Sequence, residues 1–319
     1  MSPDLHRARG SPRLGFVLAF STVLLWGFLA IALKLLLVDG MDAFTITWYR
    51  LTTSALLLGA FQVWRGQLPS LGVLGGRGWT LLAVALGGLV GNYVLFVVAL
   101  DFVPPATAQV VVQLAPLLFL LGGLAIFGER FSRGQWLGLV VLVAGLGLFF
   151  NQRLADLVRM SGSEAIGVAV VVVAAVVWAG YALAQKQLLA KLSSENILLL
   201  VYCGAAVVLL PVAEPGQITE LSDLGLGLLA FGVFNTLAAY GCFAEALEHW
   251  EASRVSAVIS LTPLVTVLAV YAILAVWPDA EVGQRLEPLG LAGAFLVVAG
   301  SMMAALGRGG ADAEPLALE

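Results

Sequence analysis

Lys34, Arg50 and Lys186 fall inside long apolar runs. An ionised group held away from water must be paired, solvated or put to use, so these residues ask first for a chemical account. Arg50 stands roughly eight residues, or ~12 Å, into its run. Two roles are open to it: a gate or structural ion pair, and direct contact with an anionic solute. Lys34 and Lys186 lie near the ends of their runs, where a lysine snorkels to the interface, and a substrate-carboxylate role is the lesser reading there. No Asp or Glu stands at the middle of any run, and Glu245 comes nearest, at the end of one. His6 and His249 lie in the N-terminal tail and near a helix end, so no deep His-based catalytic or metal site can be assembled. Cys203 and Cys242 have no paired spacing, which removes a disulfide framework and a CxxC site. With no deep His, carboxylate pair or Ser-Lys dyad, the chain is not expected to be an enzyme. No cofactor, metal or nucleic-acid partner is expected either.

What remains is chemistry of binding. Trp26 and Trp178, Tyr93 and Tyr240, and Phe96 and Phe243 recur at nearly constant separation. Trp26 and Trp178 lie too deep for an interfacial belt. Such rings either line a cavity for an apolar or aromatic solute or fill the space between helices. Asn92, Gln109, Gln113, Gln185, Asn235, Ser260 and Thr262 are uncharged polar groups deep in apolar runs, and must face protein or water. They either hold a solute's ammonium and carboxylate or join helices by hydrogen bonds of ~0.6 kcal/mol each. The candidate binding set is therefore Trp26, Asn92, Tyr93, Phe96, Gln113, Trp178, Tyr181, Gln185, Asn235, Tyr240 and Ser260. Pro116 and Pro263 stand mid-run, where a proline kinks a helix as a hinge or as a fixed bend. With Arg50 they form the candidate gating set.

The elements that must position these residues are legible in composition. Of the 319 residues, 61% are hydrophobic and 11% charged, against roughly 45–50% and about 25% in soluble chains. So few charges cannot cover a soluble surface, and the chain must be an all-α integral membrane protein whose partners are the lipid bilayer and a small-molecule substrate. Apolar stretches of suitable length lie near 14–38, 42–64, 79–101, 105–127, 134–151, 165–189, 195–213, 224–247, 253–276 and 289–307, ten transmembrane helices in all. Arg7, Arg9, Arg13, Arg65, Arg77, Arg130, Arg133, Lys191, Arg254 and Arg308 fall on one side. Only Arg153, Arg159 and Arg285 fall on the other. That bias puts both termini in the cytoplasm.

The chain also repeats. Residues 26–34 (WGFLAIALK) lie over 178–186 (WAGYALAQK). Tyr93, Phe96, Leu114 and Pro116 lie over Tyr240, Phe243, Leu261 and Pro263, and 138–145 (GLVVLVAG) lies over 293–300 (GAFLVVAG). The expected organisation is an N-terminal tail at 1–13, a five-helix repeat at 14–151, a loop at 152–164, a second repeat at 165–307 and a tail at 308–319. Five is odd, so the second repeat is inverted. Two inverted halves that exchange conformations expose a midplane cavity to each side in turn, which argues for a carrier.

Trp26-Gly27 in the first helix, Arg50 in the second, mid-helix Pro116, the Gly128-Glu129-Arg130 turn and the Gly-rich fifth helix ending Ala144-Gly145 resemble the EamA-type drug/metabolite transporters. The likeness runs over nearly the whole chain and looks most like the bacterial aromatic amino-acid exporters of the YddG type. The second half departs from it: Ala275-Val276-Trp277-Pro278 replaces the Gly-Glu-Arg turn, and Arg50 is matched by Tyr202. The resemblance implies a bacterial inner-membrane exporter of aromatic and other neutral amino acids or related metabolites. Without a deep carboxylate, uncoupled facilitated export is expected rather than proton antiport. Multidrug or apolar-metabolite efflux is the main alternative. A phosphorylated-sugar or nucleotide-sugar exchanger would want several converging cations, and only Arg50 lies at depth. Nothing in the sequence requires more than a monomer.

Overall fold

A computed structural model of the chain describes residues 11–127, 132–151, 162–249, 252–283 and 285–306. Residues 1–10, the Gly128-Glu129-Arg130 turn, most of the 152–164 loop and the tail from 308 lie outside the described residues. The described residues are helical throughout, with no strand. In order they form α1 (Pro12–Val38), α2 (Ala43–Arg65), α3 (Gly75–Ala99), α4 (Pro105–Val111), α5 (Leu114–Phe127) and α6 (Arg133–Phe149). There follow α7 (Ser163–Leu188), α8 (Ser194–Leu209), α9 (Asp223–His249), α10 (Ala252–Ile259), α11 (Thr262–Val276) and α12 (Pro288–Leu306).

Local chemistry sets the ends. Pro12, Pro105 and Pro288 open their helices, where a missing N–H costs nothing. Asp42 caps α2 by accepting from the Phe44 and Thr45 amides, and Ser132 and Gln135 close a capping box on α6. Gly66 ends α2 in the left-handed region at φ 66°.

Six segments are long and apolar enough to cross a membrane: Pro12–Val38, Gly75–Ala99, Ser163–Leu188, Asp223–Phe243, Ala257–Val276 and Pro288–Leu306. Shorter apolar helices accompany them. Their outward faces carry Leu56, Val207, Leu268 and Val276, and Trp64, Trp79, Trp136 and Trp277 stand exposed at or beside helix ends, as at a lipid interface. The protein is a multi-pass membrane protein. α2 is long enough at 23 residues but less apolar, because it carries Thr45, Thr47, Arg50, Ser54 and Gln62. All five are buried. Lipid would penalise them, so α2 turns that stripe toward protein.

Two expectations about Pro116 and Pro263 need correction. Neither kinks a continuous helix. The stretch 105–127 is α4 and α5, and 253–276 is α10 and α11, interrupted at residues 112–113 and 260–261. Each proline ring would collide with the carbonyl four residues back, at Val112 or Ile259, so the preceding helix stops there. Each proline then sits in the first turn of the following helix, where its lack of an N–H is harmless. Pro263 is buried and Pro116 is exposed.

Packing joins the first half of the chain to the second. α1 packs on α9, α2 on α8, α3 on α7 and α6 on α12. The α5–α7 contact is matched by α1–α11. α4 leans on α1, α7 and α11, whereas α10 leans on α1, α9 and α12, with no comparable packing of α10 on α5 or α7 among the described residues.

The bundle end formed by residues 38–43, 99–105 and 209–223 is laced across the halves. Asp39 Oδ2 accepts from the Ser222 amide and hydroxyl at 2.9 and 3.0 Å, ahead of the first turn of α9. The Asp42 amide donates to Gln217 Oε1 at 3.0 Å and Glu214 N to Thr45 Oγ1 at 2.8 Å. Tyr49 donates to the Pro215 carbonyl at 2.8 Å. At the opposite end Arg77 donates to Gln187 Oε1 at 3.0 Å and Lys191 to the Leu74 carbonyl at 2.7 Å.

The α6–α12 seam is a glycine contact. A Cβ on Gly145 would stand 2.6 Å from Val297 N, and one on Gly293 or Gly300 would strike the Phe149 or Leu142 backbone. The helices touch backbone to backbone, which only glycine permits. Gly300→Val should destabilise the protein by about 1–3 kcal/mol or more, seen as a lower melting temperature in detergent. Gly147→Ala, on the same α6 but with open space around it, should leave the melting temperature unchanged.

Candidate functional site

The polar stripe of α2 brings Arg50 to the middle of the bundle. Its side chain is 3% exposed and its stem passes Gly232 of α9. Arg50 Nε donates to Thr236 Oγ1 at 3.2 Å, and Thr236 donates in turn to the Gly232 carbonyl at 2.8 Å. The guanidinium carbon lies 4.8 Å from the centroid of the Tyr93 ring, a cation–π contact. Tyr202 and Tyr240 lie close enough to feel its charge, and Tyr93 is their common neighbour. No carboxylate pairs with Arg50 among the described residues. The structural ion-pair reading therefore finds no partner there.

Two aromatic groups flank this centre, each drawing on both halves of the chain. Trp26 on α1 meets Tyr240 edge-on at 5.6 Å and Phe243 at 6.0 Å, both on α9. Trp178 on α7 meets Phe119 of α5 at 6.4 Å and Tyr181 at 6.5 Å. Trp26, Phe119, Trp178, Tyr240 and Phe243 stay half-buried, whereas Tyr93 and Tyr181 are buried behind them. The result is a set of reachable ring faces over a buried cation. It can hold a small organic solute by its apolar part.

The deep amides do different work. Asn92 donates to the Ala174 carbonyl at 3.0 Å, fastening α3 to α7, and Asn235 donates to the Leu25 carbonyl at 2.6 Å, fastening α9 to α1. Gln109 donates to the Trp26 carbonyl at 3.0 Å, fixing the backbone beneath that ring. Gln113 and Ser260 lie in the two helix interruptions and meet each other. Gln113 Nε2 donates to the Ser260 carbonyl at 3.4 Å, Ser260 to Ser301 Oγ at 3.0 Å, and Ser301 to Gln113 Oε1 at 3.2 Å. A carbonyl freed by one break is thus satisfied by a side chain from the other.

Of the candidate set, Tyr93 and Tyr240 lie beside Arg50, Trp26 packs on Tyr240, and Tyr181 next to Tyr93 carries Trp178. Phe96 does not: it packs among Leu33, Leu36 and Met41, toward the laced end. Gln185 lies at the other end, donating to Ser194 Oγ at 3.3 Å across the α7–α8 turn. Lys34 reaches the Leu100 carbonyl at 2.8 Å, at the end of α3. Sequence reasoning left out Tyr202, Thr236, Phe119 and Ser301. Tyr202 carried a signal, since the repeat aligns it with Arg50. Thr236 and Phe119 carried none, because their neighbours are fixed by packing between distant segments.

The protein is similar to known transporters. It is 40% identical over 296 residues to the "Uncharacterized inner membrane transporter YhbE" of Escherichia coli, covering 92% of each chain. A more distant relative, at 24% identity over 69% of this chain and 74% of its own, is the "Probable amino-acid metabolite efflux pump" of Salmonella typhimurium. A solved structure described only as "Crystal structure of protein" shares the fold, with a TM-score of 0.61 at 22% identity over 92% of this chain and 98% of that one. The EamA-like transporter family matches twice, over residues 13–151 and again over 165–306. A bundle of apolar helices that gathers aromatic rings from both of those matched halves around one cation thus belongs to the EamA-like transporter family.

Proposed function

We propose that the protein exports aromatic and other neutral amino acids, or closely related small metabolites, across the bacterial inner membrane by alternating access. In this reading ten transmembrane helices form an inverted repeat of five plus five, with both termini in the cytoplasm. α4 with α5 and α10 with α11 each count as one interrupted helix. The observation that carries the reading is the meeting of the two interruptions through Gln113, Ser260 and Ser301. Discontinuous helices at a repeat interface are where carriers of this architecture bind and switch. The exchange-symmetric contacts support it: α1–α9 answers α7–α3, and α1–α11 answers α7–α5. So do the two family matches, of nearly equal length.

α4 and α10 break that symmetry. α4 leans inward to close the laced end, and α10 leans outward onto α12. With the termini in the cytoplasm, this is a state closed to the outside and open to the inside, ready to load a solute for export. Asp39, Asp42, Thr45 and Tyr49 with the 214–222 segment are the contacts that must part when the outside opens.

The name of the Salmonella relative and the half-buried rings support an amino-acid or related solute. The sugar-phosphate alternative has one deep cation to offer. The family and the relatives that the chain matches are transporters, which supports a transport role rather than an enzymatic one.

Purified protein in liposomes should carry labelled phenylalanine and tryptophan with saturable kinetics and equal rates with and without a pH gradient, and should not exchange a sugar phosphate. Amino-acid flux that collapses without the gradient would remove the uncoupled mechanism, and sugar-phosphate exchange in place of amino-acid flux would remove the substrate class. Replacing Pro116 and Pro263 together by alanine restores the amide and removes the ring that stops each preceding helix. Maximal flux should fall by about tenfold, equivalent to ~1.4 kcal/mol on the switching barrier, while the KM for phenylalanine stays within a factor of about two of wild type. An unchanged maximal rate would show that the interruptions do not move.

A further inference from the structure

Arg50 brings five N–H donors to the centre, and one hydrogen bond, to Thr236, is made by described residues. The hydroxyls around it are in a similar state. Thr47 and Ser54 stand three residues before and four residues after Arg50, on the same face of α2. Both are fully buried, and neither hydroxyl has a hydrogen-bond partner among the described residues. The Tyr202 hydroxyl, from α8, is buried beside Tyr93 and makes no well-formed hydrogen bond. A helical Thr or Ser ordinarily satisfies itself on a carbonyl one turn back, as Thr22 and Thr236 do here. Thr47 and Ser54 leave that bond unmade. Among the described residues, the face of α2 that carries Arg50 thus has more donors than acceptors, and no anionic side chain stands by the guanidinium, a combination that costs folding energy unless a ligand or water uses it.

We propose that Arg50, with the Tyr202 hydroxyl beside it, receives the carboxylate of the transported solute, and that the solute's ammonium contributes little to recognition. The proposal rests on the reading that a small organic solute crosses at this centre, and narrows it to aromatic and apolar monocarboxylates, aminated or not. One guanidinium suits a single negative charge and gives a carboxylate two parallel N–H donors. The Tyr93 ring face now under the cation is its stand-in partner. The aromatic part of the solute then lies on the half-buried rings of Trp26 and Tyr240. Among the described residues, no acidic side chain stands in the centre to take an ammonium. Glu245, further along α9 toward its end, is engaged by His249 at 3.2 Å.

The test is a competition series against labelled phenylalanine in proteoliposomes. 3-Phenylpropionate and phenylpyruvate should inhibit within about threefold of unlabelled phenylalanine. Phenylalaninamide and phenethylamine, which keep the amine and lose the carboxylate, should be at least about tenfold weaker, a difference of ~1.4 kcal/mol. Tyr202→Phe removes a hydroxyl whose contact with Tyr93 is not a well-formed hydrogen bond. It should raise the KM severalfold with maximal rate and melting temperature unchanged. Arg50→Lys should keep part of the affinity and Arg50→Gln lose at least about tenfold. Amide and amine competing as well as phenylalanine would overturn the proposal and leave the amino-acid reading standing. So would an unchanged KM in Tyr202→Phe together with unchanged binding in a folded Arg50→Gln. If the wild type carries no amino acid, that wider reading fails, and quenching of tryptophan fluorescence by 3-phenylpropionate against phenethylamine still decides the subsite. Preference for the acid supports it, and equal or opposite preference overturns it.

Discussion

A guanidinium in the middle of a membrane bundle, with tyrosines for neighbours and no carboxylate, constrains everything around it. Placing an arginine at that depth costs about 2.5–3.5 kcal/mol on insertion scales, and the cost is tolerable only if the side chain never meets lipid. The polar stripe of α2 must therefore be enclosed, and α8, α9 and α3 pack on the helix. The enclosing helices must supply groups that tolerate a cation. They supply the Tyr93 face, Thr236, and the rims of Tyr202 and Tyr240. The segments that carry those residues must meet across more than a hundred residues of chain, which the Asn92 and Asn235 clamps help to fix.

The same constraint explains where the two halves part company. Arg50 and Tyr202 are aligned by the repeat, and α2 and α8 pack on each other, so equivalent positions meet near the centre. A second arginine there would put two buried cations side by side, and a second tyrosine would leave no charge at all. One of each gives a single cation with a hydroxyl beside it.

Much of this was legible in the residues. Apolar run lengths gave the helices nearly to their ends, since hydrophobic span and turn chemistry act locally. The ring pairs Trp26/Trp178 and Tyr93/Tyr240 stood out because large aromatics seldom recur by chance in an Ala-, Leu- and Val-rich chain. Two things were hidden. The prolines marked a disturbance, but whether a helix bends or stops depends on whether the freed carbonyls find partners, and those partners lie on α12 and on the opposite interruption. The destinations of polar side chains were equally concealed: Asn92, Gln109 and Asn235 are one residue type each in sequence, and only tertiary contact shows them bound to backbone carbonyls rather than facing the centre. Phe96 and Phe243 share a repeat position yet end in different surroundings, one among aliphatic side chains, the other against Trp26.

The glycine seam has a further meaning. Gly138 and Gly145 of α6 face Gly300 and the Leu296–Val297 backbone of α12, while Gly293 and Gly300 face Phe149 and Leu142 of α6. Each side supplies the same kind of surface to the other in reverse order, so the contact is self-complementary in the manner of an isologous dimer interface. Had the two matched halves been separate molecules, this strip would have driven them to pair, at an affinity set by their concentration in the bilayer. Joining them in one chain replaces that concentration with a fixed effective one, and the pair of helices that would have been a contact between molecules becomes a permanent seam within one.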